Sequence, residues 1–283
     1  LWRLRPDLTF VPAHTLPFFF PGRAAVTVHD LGYCVFPQAH PAMQRRYLHL
    51  TTRYSAARAA RILADSAATA EDLTRWYGTP SAKIRVVYPG VDAPSLNAVD
   101  VRAKYGLPAR YFLFLGTLQP RKNIARIVQA YALWRAAHSQ QEIGLVLAGG
   151  RGWLFDSAWV EGVPGVLLPG YVDEPDKGAL IGGAEMLVFP SLYEGFGFPA
   201  LEAMHCGTPV LTSRSSSLPE LVGDAGLLVD PEDVEAIAAG MAQLTEDEAL
   251  RARLVAQGRV QAARFTWEAA GQQALRALEE AAR

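Results

Sequence analysis

The sequence predicts an α/β fold with parallel sheets, divided by a linker into two domains. Short apolar runs alternate with longer helical patterns, which is typical of strand–helix–strand units. The hydrophobic pattern weakens once, before a second series of strands begins. With 283 residues, 50 % of them hydrophobic, the chain is long enough to form two cores.

The first series occupies residues 1–95 and contains four predicted strands, at residues 8–11, 25–29, 61–64 and 84–88. Thr69 followed by Asp72 predicts a capping box at the start of a helix. Four strands are fewer than a doubly wound domain needs. We therefore expect the chain to start inside its N-terminal domain.

The predicted linker covers residues 96–108, where Asn97, Gly106 and Pro108 interrupt the hydrophobic pattern. The second domain, residues 109–265, contains six predicted strands, at residues 111–115, 145–148, 166–168, 186–189, 210–212 and 227–229. The helix that follows Asn123 has an apolar face formed by Ile124, Ile127, Val128, Tyr131 and Trp134. This series is complete enough for a doubly wound domain.

Two further helices are predicted near the C-terminus. Thr245 with Glu248 forms a capping box for the first, and Thr266 is the expected cap of the second. The last helix, residues 266–283, is predicted as an element separate from the second domain. We expect that it can pack back onto the N-terminal domain.

Composition excludes some classes of partner. The formal net charge is -1 with both signs interspersed, so no basic field for nucleic acid is expected. The two cysteines are too few for a disulfide framework and favour a reducing compartment, with the cytoplasm as the expected location. No apolar run reaches the roughly 18 residues of a membrane-spanning helix. Residues 16–21, Leu-Pro-Phe-Phe-Phe-Pro, favour a packed loop, and contact with lipid or a lipid-linked acceptor is the alternative.

Ligands of open α/β sheets bind beyond the carboxyl ends of the strands. After the predicted strand 186–189, Glu194 is followed by Gly195 and Gly197 and then by Glu202 in the expected first helical turn. Such a glycine-rich helix start favours an anion such as a diphosphate, whereas the two carboxylates suit the hydroxyl groups of sugars. The alternative is that Glu202 only complements its helix dipole and Glu194 is solvated.

Two other strand ends carry polar side chains. Arg121 and Lys122 precede the helix after the predicted strand 111–115, where cations make sense if they hold an anionic ligand. Two solvated surface charges are the alternative. His29 and Asp30 end a strand of the first domain, and a structural histidine is the competing interpretation there.

The chain resembles the retaining glycosyltransferases of family 4, almost from end to end. The motifs that carry the resemblance are Val28-His-Asp-Leu-Gly32, Asp65-Ser66, Val87-Tyr-Pro-Gly-Val-Asp92, Leu115-Gly-Thr-Leu-Gln-Pro-Arg-Lys-Asn123, Gly170-Tyr-Val172, the Glu194 to Glu202 segment, Gly207-Thr-Pro-Val210 and Ser217-Leu-Pro-Glu220. The resemblance implies the GT-B fold, in which two Rossmann-like domains face each other across a cleft. It also implies that the N-terminal domain is the acceptor side and lacks a stretch with a glycine-rich loop.

The resemblance also implies roles for individual residues. Glu194 contacts donor-sugar hydroxyls, Glu202 contacts the ribose, Arg121 and Lys122 hold the diphosphate, and His29 lies near the reacting sugar. We expect further donor contacts from Gly116, Thr117, Tyr171, Val172, Gly195, Phe196 and Gly197. The segment Ala148-Gly-Gly-Arg-Gly152 departs from the Gly-x-Gly form usual after this strand, so no residue of it is assigned a role.

The implied activity is retaining transfer of a hexose, with mannose from GDP-mannose as our choice, to a glycan or lipid-linked glycan. Without an Asp-x-Asp motif in the sequence, we expect neither metal nor other cofactor. A non-catalytic protein that binds sugar nucleotides or glycans, or an inactive fragment of such an enzyme, is the alternative. The missing Gly-x-Gly-x-x-Gly element argues against a dinucleotide-dependent oxidoreductase.

Overall fold

A computed structural model describes Arg3 and residues 6–96 and 100–283. Residues 97–99 of the predicted linker, Asn97 among them, lie outside the described residues. The chain divides into two compact units. Unit 1 comprises Leu1–Gly90, Glu194–Phe196 and Phe265–Arg283, and unit 2 comprises Val91–Tyr193 and Gly197–Arg264.

The described residues form ten strands and eleven α-helices. The strands are β1 Leu8–Val11, β2 Arg23–Val28, β3 Arg61–Ala64, β4 Ile84–Val86, β5 Arg110–Leu115, β6 Ile143–Ala148, β7 Val166–Gly170, β8 Met186–Phe189, β9 Val210–Ser213 and β10 Leu227–Val229. The helices are α1 Gly32–Val35, α2 Ala42–Arg58, α3 Ala67–Tyr77, α4 Val101–Tyr105, α5 Ile124–Ala137, α6 Glu174–Gly182, α7 Phe198–Cys206, α8 Leu218–Val222, α9 Val234–Glu246, α10 Glu248–Ala262 and α11 Trp267–Ala282. All ten predicted strands therefore exist, with ends that differ by up to two residues.

Unit 1 is built on a parallel sheet in the order β1-β2-β3-β4. Its core includes Val26, Val28 and Ile62, which are fully buried. The predicted capping role of Thr69 is wrong, because the cap of α3 is Ser66, whose hydroxyl accepts from the Thr69 amide at 3.0 Å. The Ser66 hydroxyl, three residues before Thr69, therefore caps the helix in place of Thr69.

The C-terminal helix α11 belongs to unit 1. Thr266 is its N-cap, as predicted, and accepts from the Ala269 amide at 3.1 Å. One carboxylate oxygen of Glu280 accepts from Arg61 at 3.3 Å and from Arg85 at 2.8 Å. These exposed ion pairs contribute little free energy, so the buried alanine side chains of α11 carry most of its packing.

Unit 2 has a six-stranded parallel sheet in the order β10-β9-β8-β5-β6-β7. The strand order reverses next to β5, the first strand of the unit, which pairs with both β6 and β8. In α5 the predicted apolar face is buried, from Ile124 to Trp134. The capping box predicted at Thr245 is wrong: Thr245 bonds the Met241 carbonyl inside α9, and Asp247 caps α10.

Among the helices of the described residues, none has both the length and the apolar character needed to cross a bilayer.

Candidate functional site

Two predicted loops of unit 2 meet where the strand order of the sheet reverses. One follows β5 and contains a 3-10 turn, Pro120–Lys122, and the other follows β8. The Leu192 amide donates to the Arg121 carbonyl at 2.9 Å, and the Arg121 guanidinium donates to the Tyr193 carbonyl at 3.1 Å. A reversal of strand order is where open α/β sheets bind ligands. The two loops predicted from the sequence therefore lie together at the position where such sheets bind ligands.

Asn123 lies at the end of the β5 loop and holds it in place. No role was predicted for this residue from the sequence. It adopts a left-handed conformation with φ of 65° and is 3 % exposed. Its side-chain amide donates to the carbonyls of Pro190 and Pro231, at 3.0 and 2.6 Å. One side chain thus ties the β5 loop to the residue that follows β8 and to a residue just after β10.

Lys122 and Glu194 are both buried, at 8 % and 5 % exposure. The Lys122 ammonium lies 5.0 Å from the ring centroid of Phe189, the last residue of β8. The alternative of a solvated charge is therefore wrong for these two residues. Burial of charged groups in a protein occurs where they are paired or serve a site, which favours the functional interpretation.

The start of α7 has the glycine that the sequence suggested. Gly197 is the N-cap, with φ of 134°, and a Cβ there would lie 2.8 Å from a methyl group of Leu218. Gly197 has no side chain that could cap the helix, and the first turn of α7 lies at the positive end of the helix dipole. Glu202 was expected in the first turn, but α7 begins at Phe198 and Glu202 lies in the second turn.

Glu202 forms an ion pair that the sequence did not reveal. The Lys177 ammonium donates to Glu202 at 2.8 Å and contacts Glu174 at 2.6 Å. Burial opposes protonation of Lys177, but its hydrogen bonds to Glu174 and Glu202 outweigh burial and raise its pKa. Lys177 thus holds the Glu202 carboxylate in a fixed position.

The remaining predicted residues of unit 2 lie at the ends of β5 and β7. Gly116 has φ of 144° and donates to the Ala148 carbonyl at 2.9 Å, while Thr117 is exposed. Tyr171 is 72 % exposed and Val172 is buried, directly after β7. Because β7 is an edge strand two places from β5, these two residues lie further along the same sheet edge.

In unit 1, His29 follows the last residue of β2. Its Nδ1 lies 2.8 Å from a carboxylate oxygen of Asp65, and its Nε2 lies 3.3 Å from the Pro12 carbonyl oxygen. The hydrogen bond with Asp65 raises the pKa of His29 against the opposing effect of burial. Because both ring nitrogens face acceptors, the protonated imidazolium is the form that satisfies both.

Residues 194–196 belong to unit 1. A Cβ at Gly195 would lie 2.3 Å from the His29 carbonyl oxygen and 2.5 Å from the Asp30 Cβ. The Thr69 hydroxyl lies 3.2 Å from the same His29 oxygen. The loop that carries Glu194 and Phe196 therefore packs directly on the His29–Asp30 backbone.

Asn123, Lys177 and Asp65 contribute contacts that were not predicted from the sequence. Asn before a helix was a usable signal for Asn123, since asparagine tolerates the left-handed region. Asp65 belongs to one of the motifs that carry the family resemblance, but no role was predicted for it. No sequence pattern indicated a role for Lys177. Within the described residues, no group of three or more His, Cys, Asp or Glu side chains is placed to hold a metal ion.

Comparison with known proteins identifies the family. Residues 100–261 match the family model described as glycosyl transferases group 1, and residues 2–94 match glycosyltransferase family 4. The O-antigen chain mannosyltransferase B of Escherichia coli is 36 % identical over 281 residues, which cover 94 % of this chain and 73 % of that protein.

Two further similarities agree with this match. The serotype-specific mannosyltransferase WbdA of Escherichia coli is 29 % identical, over 91 % of this chain and 33 % of its own length. The solved sucrose-phosphate synthase from Thermosynechococcus elongatus is 28 % identical with a TM-score of 0.74, over 91 % of this chain and 67 % of that one. The chain belongs to the glycosyl transferases group 1 family and has the GT-B glycosyltransferase fold.

Proposed function

We propose that this glycosyltransferase moves mannose from GDP-mannose, with retention of configuration, to a glycan or lipid-linked glycan. The choice of mannose is supported by the relative that is 36 % identical, which is named O-antigen chain mannosyltransferase B. The same name supports a growing polysaccharide chain as the acceptor. A peripheral position at the inner face of the membrane would bring the enzyme to such an acceptor.

One observation carries the proposal: the β5 and β8 loops join at the reversal of strand order, with Arg121 and Lys122 on one and the start of α7 after the other. Sugar transfer leaves negative charge on the departing nucleoside diphosphate. Preorganised cations and backbone amides at that position lower the barrier most. They supply this stabilisation from protein groups, so we propose transfer without a metal.

The family resemblance supports roles for the other predicted residues. Glu194 accepts hydrogen bonds from hydroxyls of the donor sugar, and Glu202 accepts from the ribose. His29 lies near the reacting sugar in unit 1, where the Glu194 loop packs on its backbone. We propose that Gly116, Thr117, Tyr171 and Val172 contact the donor from the ends of β5 and β7.

Donor preference is tested first by binding. GDP-mannose is expected to raise the melting temperature of the protein more than GDP-glucose or UDP-glucose do. Release of GDP and transfer of labelled mannose to lipid-linked glycans are then measured with and without EDTA. Equal transfer in EDTA supports metal independence, and a preference for UDP-glucose would contradict the proposed donor.

The Glu194→Gln variant separates an enzyme from a binding protein. It keeps the shape of the side chain and is expected to lower kcat by about 100- to 1000-fold, as loss of one preorganised group does. GDP should still raise its melting temperature. Stable donor binding without transfer by the unaltered protein, under every acceptor tried, would favour a non-catalytic binding protein.

A further inference from the structure

Helix α2 of unit 1 exposes the side chains that a helix usually buries. Met43, Tyr47 and Leu50 are 84, 59 and 58 % exposed. Their spacing of four and three residues places them on one face. The face turned to the core instead carries small or polar side chains, Thr51, Thr52, Ser55 and Ala56. Packing within unit 1 therefore does not explain the apolar face.

The adjacent loop extends this apolar face. Leu16 and Phe20 are buried, as expected for a packed loop, but Phe18 and Phe19 are 63 and 84 % exposed. The Phe18 ring lies 5.0 Å from the ring of Tyr54, one turn beyond Leu50, and the Tyr54 hydroxyl donates to the Phe18 carbonyl at 2.7 Å. We call the side chains of Phe18, Phe19, Met43, Tyr47 and Leu50 the apolar surface.

The charges around the apolar surface are strongly one-sided. Residues 8–64 contain six arginines and one aspartate, Asp30, and of these arginines Arg61 is paired with Glu280 of α11. The expectation of interspersed signs is therefore wrong for this segment. Four of these arginines, at positions 45, 46, 53 and 58, lie on α2 itself. The helix combines exposed apolar groups with cations and has no acidic residue.

A cavity beside α2 has the same character. It has a volume of ≈ 660 Å³ and is lined in part by Arg45, Arg46, His49 and Trp76, with no carboxylate among its lining residues. Guanidinium groups bind phosphate oxygens with two parallel hydrogen bonds. The cavity can therefore accept the phosphate of a lipid headgroup next to the apolar surface.

We propose that the apolar surface of unit 1 docks on an anionic lipid bilayer, with the arginines of α2 bound to lipid phosphates. A bilayer interface takes up aromatic and aliphatic side chains of a surface helix while its long cationic side chains reach the headgroups. The inference rests on the proposed peripheral membrane contact and names the surface responsible. The donor and the acceptor sugar do not enter it.

Vesicle flotation tests the proposal without donor or acceptor. The unaltered protein should float with phosphatidylcholine vesicles that contain phosphatidylglycerol and remain unbound to phosphatidylcholine alone. The variant Arg46→Glu with Arg53→Glu should bind at least about 25-fold more weakly, since each arginine near an anionic surface contributes ~1 kcal/mol, about fivefold. The variant Met43→Ser, Tyr47→Ser and Leu50→Ser should also lose binding.

The matched control replaces apolar residues of similar exposure elsewhere: Leu133→Ser, Val260→Ser and Leu275→Ser. It should bind vesicles like the unaltered protein, and melting temperatures should show that all variants fold. Absence of binding by the unaltered protein, or equal loss in the control, would overturn the proposal. The proposal would also be overturned if the unaltered protein were a dimer and the Met43→Ser, Tyr47→Ser and Leu50→Ser variant a monomer, because a second copy of the chain would then cover this face. Transfer that fails while vesicle binding persists would count against the donor assignment alone.

Discussion

The side-chain amide of Asn123 donates to the backbone carbonyl of Pro190 at 3.0 Å and joins the two loops that form the candidate donor site. The bond is buried, and it depends on the left-handed backbone at Asn123, φ 65°. In this conformation a residue with a Cβ is disfavoured unless its side chain forms local hydrogen bonds, as asparagine can. One residue therefore combines a backbone requirement with a polar link between loops.

Replacement of Asn123 separates these two contributions. Asn123→Gly keeps the left-handed backbone but loses the amide, and it should lower the free energy of unfolding by about 2–4 kcal/mol because two buried carbonyls lose their donor. Asn123→Ala should cost a further 1–2 kcal/mol, roughly, from the left-handed conformation. Urea unfolding measures both values. If the two variants are equally stable, the backbone requirement is wrong.

Much of the fold follows from local sequence signals. Apolar runs such as residues 186–189 are short, buried on both faces and followed by glycine or proline, so their periodicity and boundaries indicate parallel strands directly. Helix starts were less predictable. At Thr69 and Thr245 a plausible capping hydroxyl lies inside a helix, because Ser66 and Asp247 compete for the same role.

The part of the candidate site that could be predicted from the sequence consists of residues in loops that directly follow strands. Arg121, Lys122 and Glu194 follow strands, and strand ends are where ligands of such sheets bind. The burial of Lys122 and Glu194 depends on tertiary packing, and the ion pair of Glu202 with Lys177 depends on α6 and α7 becoming neighbours. Lys177 and Glu202 are 25 residues apart in the sequence, so no local sequence pattern predicts their ion pair.

Gly195 should tolerate no larger residue. A Cβ would meet the His29 carbonyl oxygen at 2.3 Å, and backbone atoms cannot move aside as a flexible side chain can. Gly195→Ala should therefore shift the loop that carries Glu194 and reduce kcat/KM for transfer by about 100-fold, as a displacement of roughly 1 Å does.

The control for this substitution is Gly271→Ala in α11, where a Cβ would meet nothing within 4 Å. It should leave transfer unchanged and stabilise the helix by about 1 kcal/mol. Equal transfer by both alanine variants would show that the close approach at Gly195 is not required.

The pair of Lys177 with Glu202 is expected to affect donor binding rather than the chemical step. Lys177→Met removes the cation that positions Glu202 and should raise KM for the donor about tenfold with little change in kcat, the sign of lost uniform binding. Glu174→Ala is the control, since it removes only the exposed partner of Lys177. A lower kcat in Lys177→Met would contradict a positioning role.

The proposed contact of Glu202 with the ribose gives a separate test. A donor analogue without ribose hydroxyls should bind equally to the unaltered protein and to Glu202→Gln.

The contact between His29 and Asp65 predicts a dependence on pH. The hydrogen bond raises the pKa of His29 in the folded state, so the protonated ring stabilises the fold. This contribution is fully present below the ordinary histidine pKa of 6.5 and is lost as the pH rises through the raised value. Asp65→Asn removes the charge and keeps the shape of the side chain. Its melting temperature should therefore fall below that of the unaltered protein most at mildly acidic pH.

Imidazole NMR titration gives the matching site-specific measurement. The pKa of His29 should move down in Asp65→Asn, because the hydrogen bond that raises it is lost. If Asp65 positions the ring for transfer, the pH profile of kcat must shift downward together with the His29 titration. A profile that is unchanged while the titration moves would limit Asp65 to a structural role, because the protonation state of His29 would then not govern the reaction.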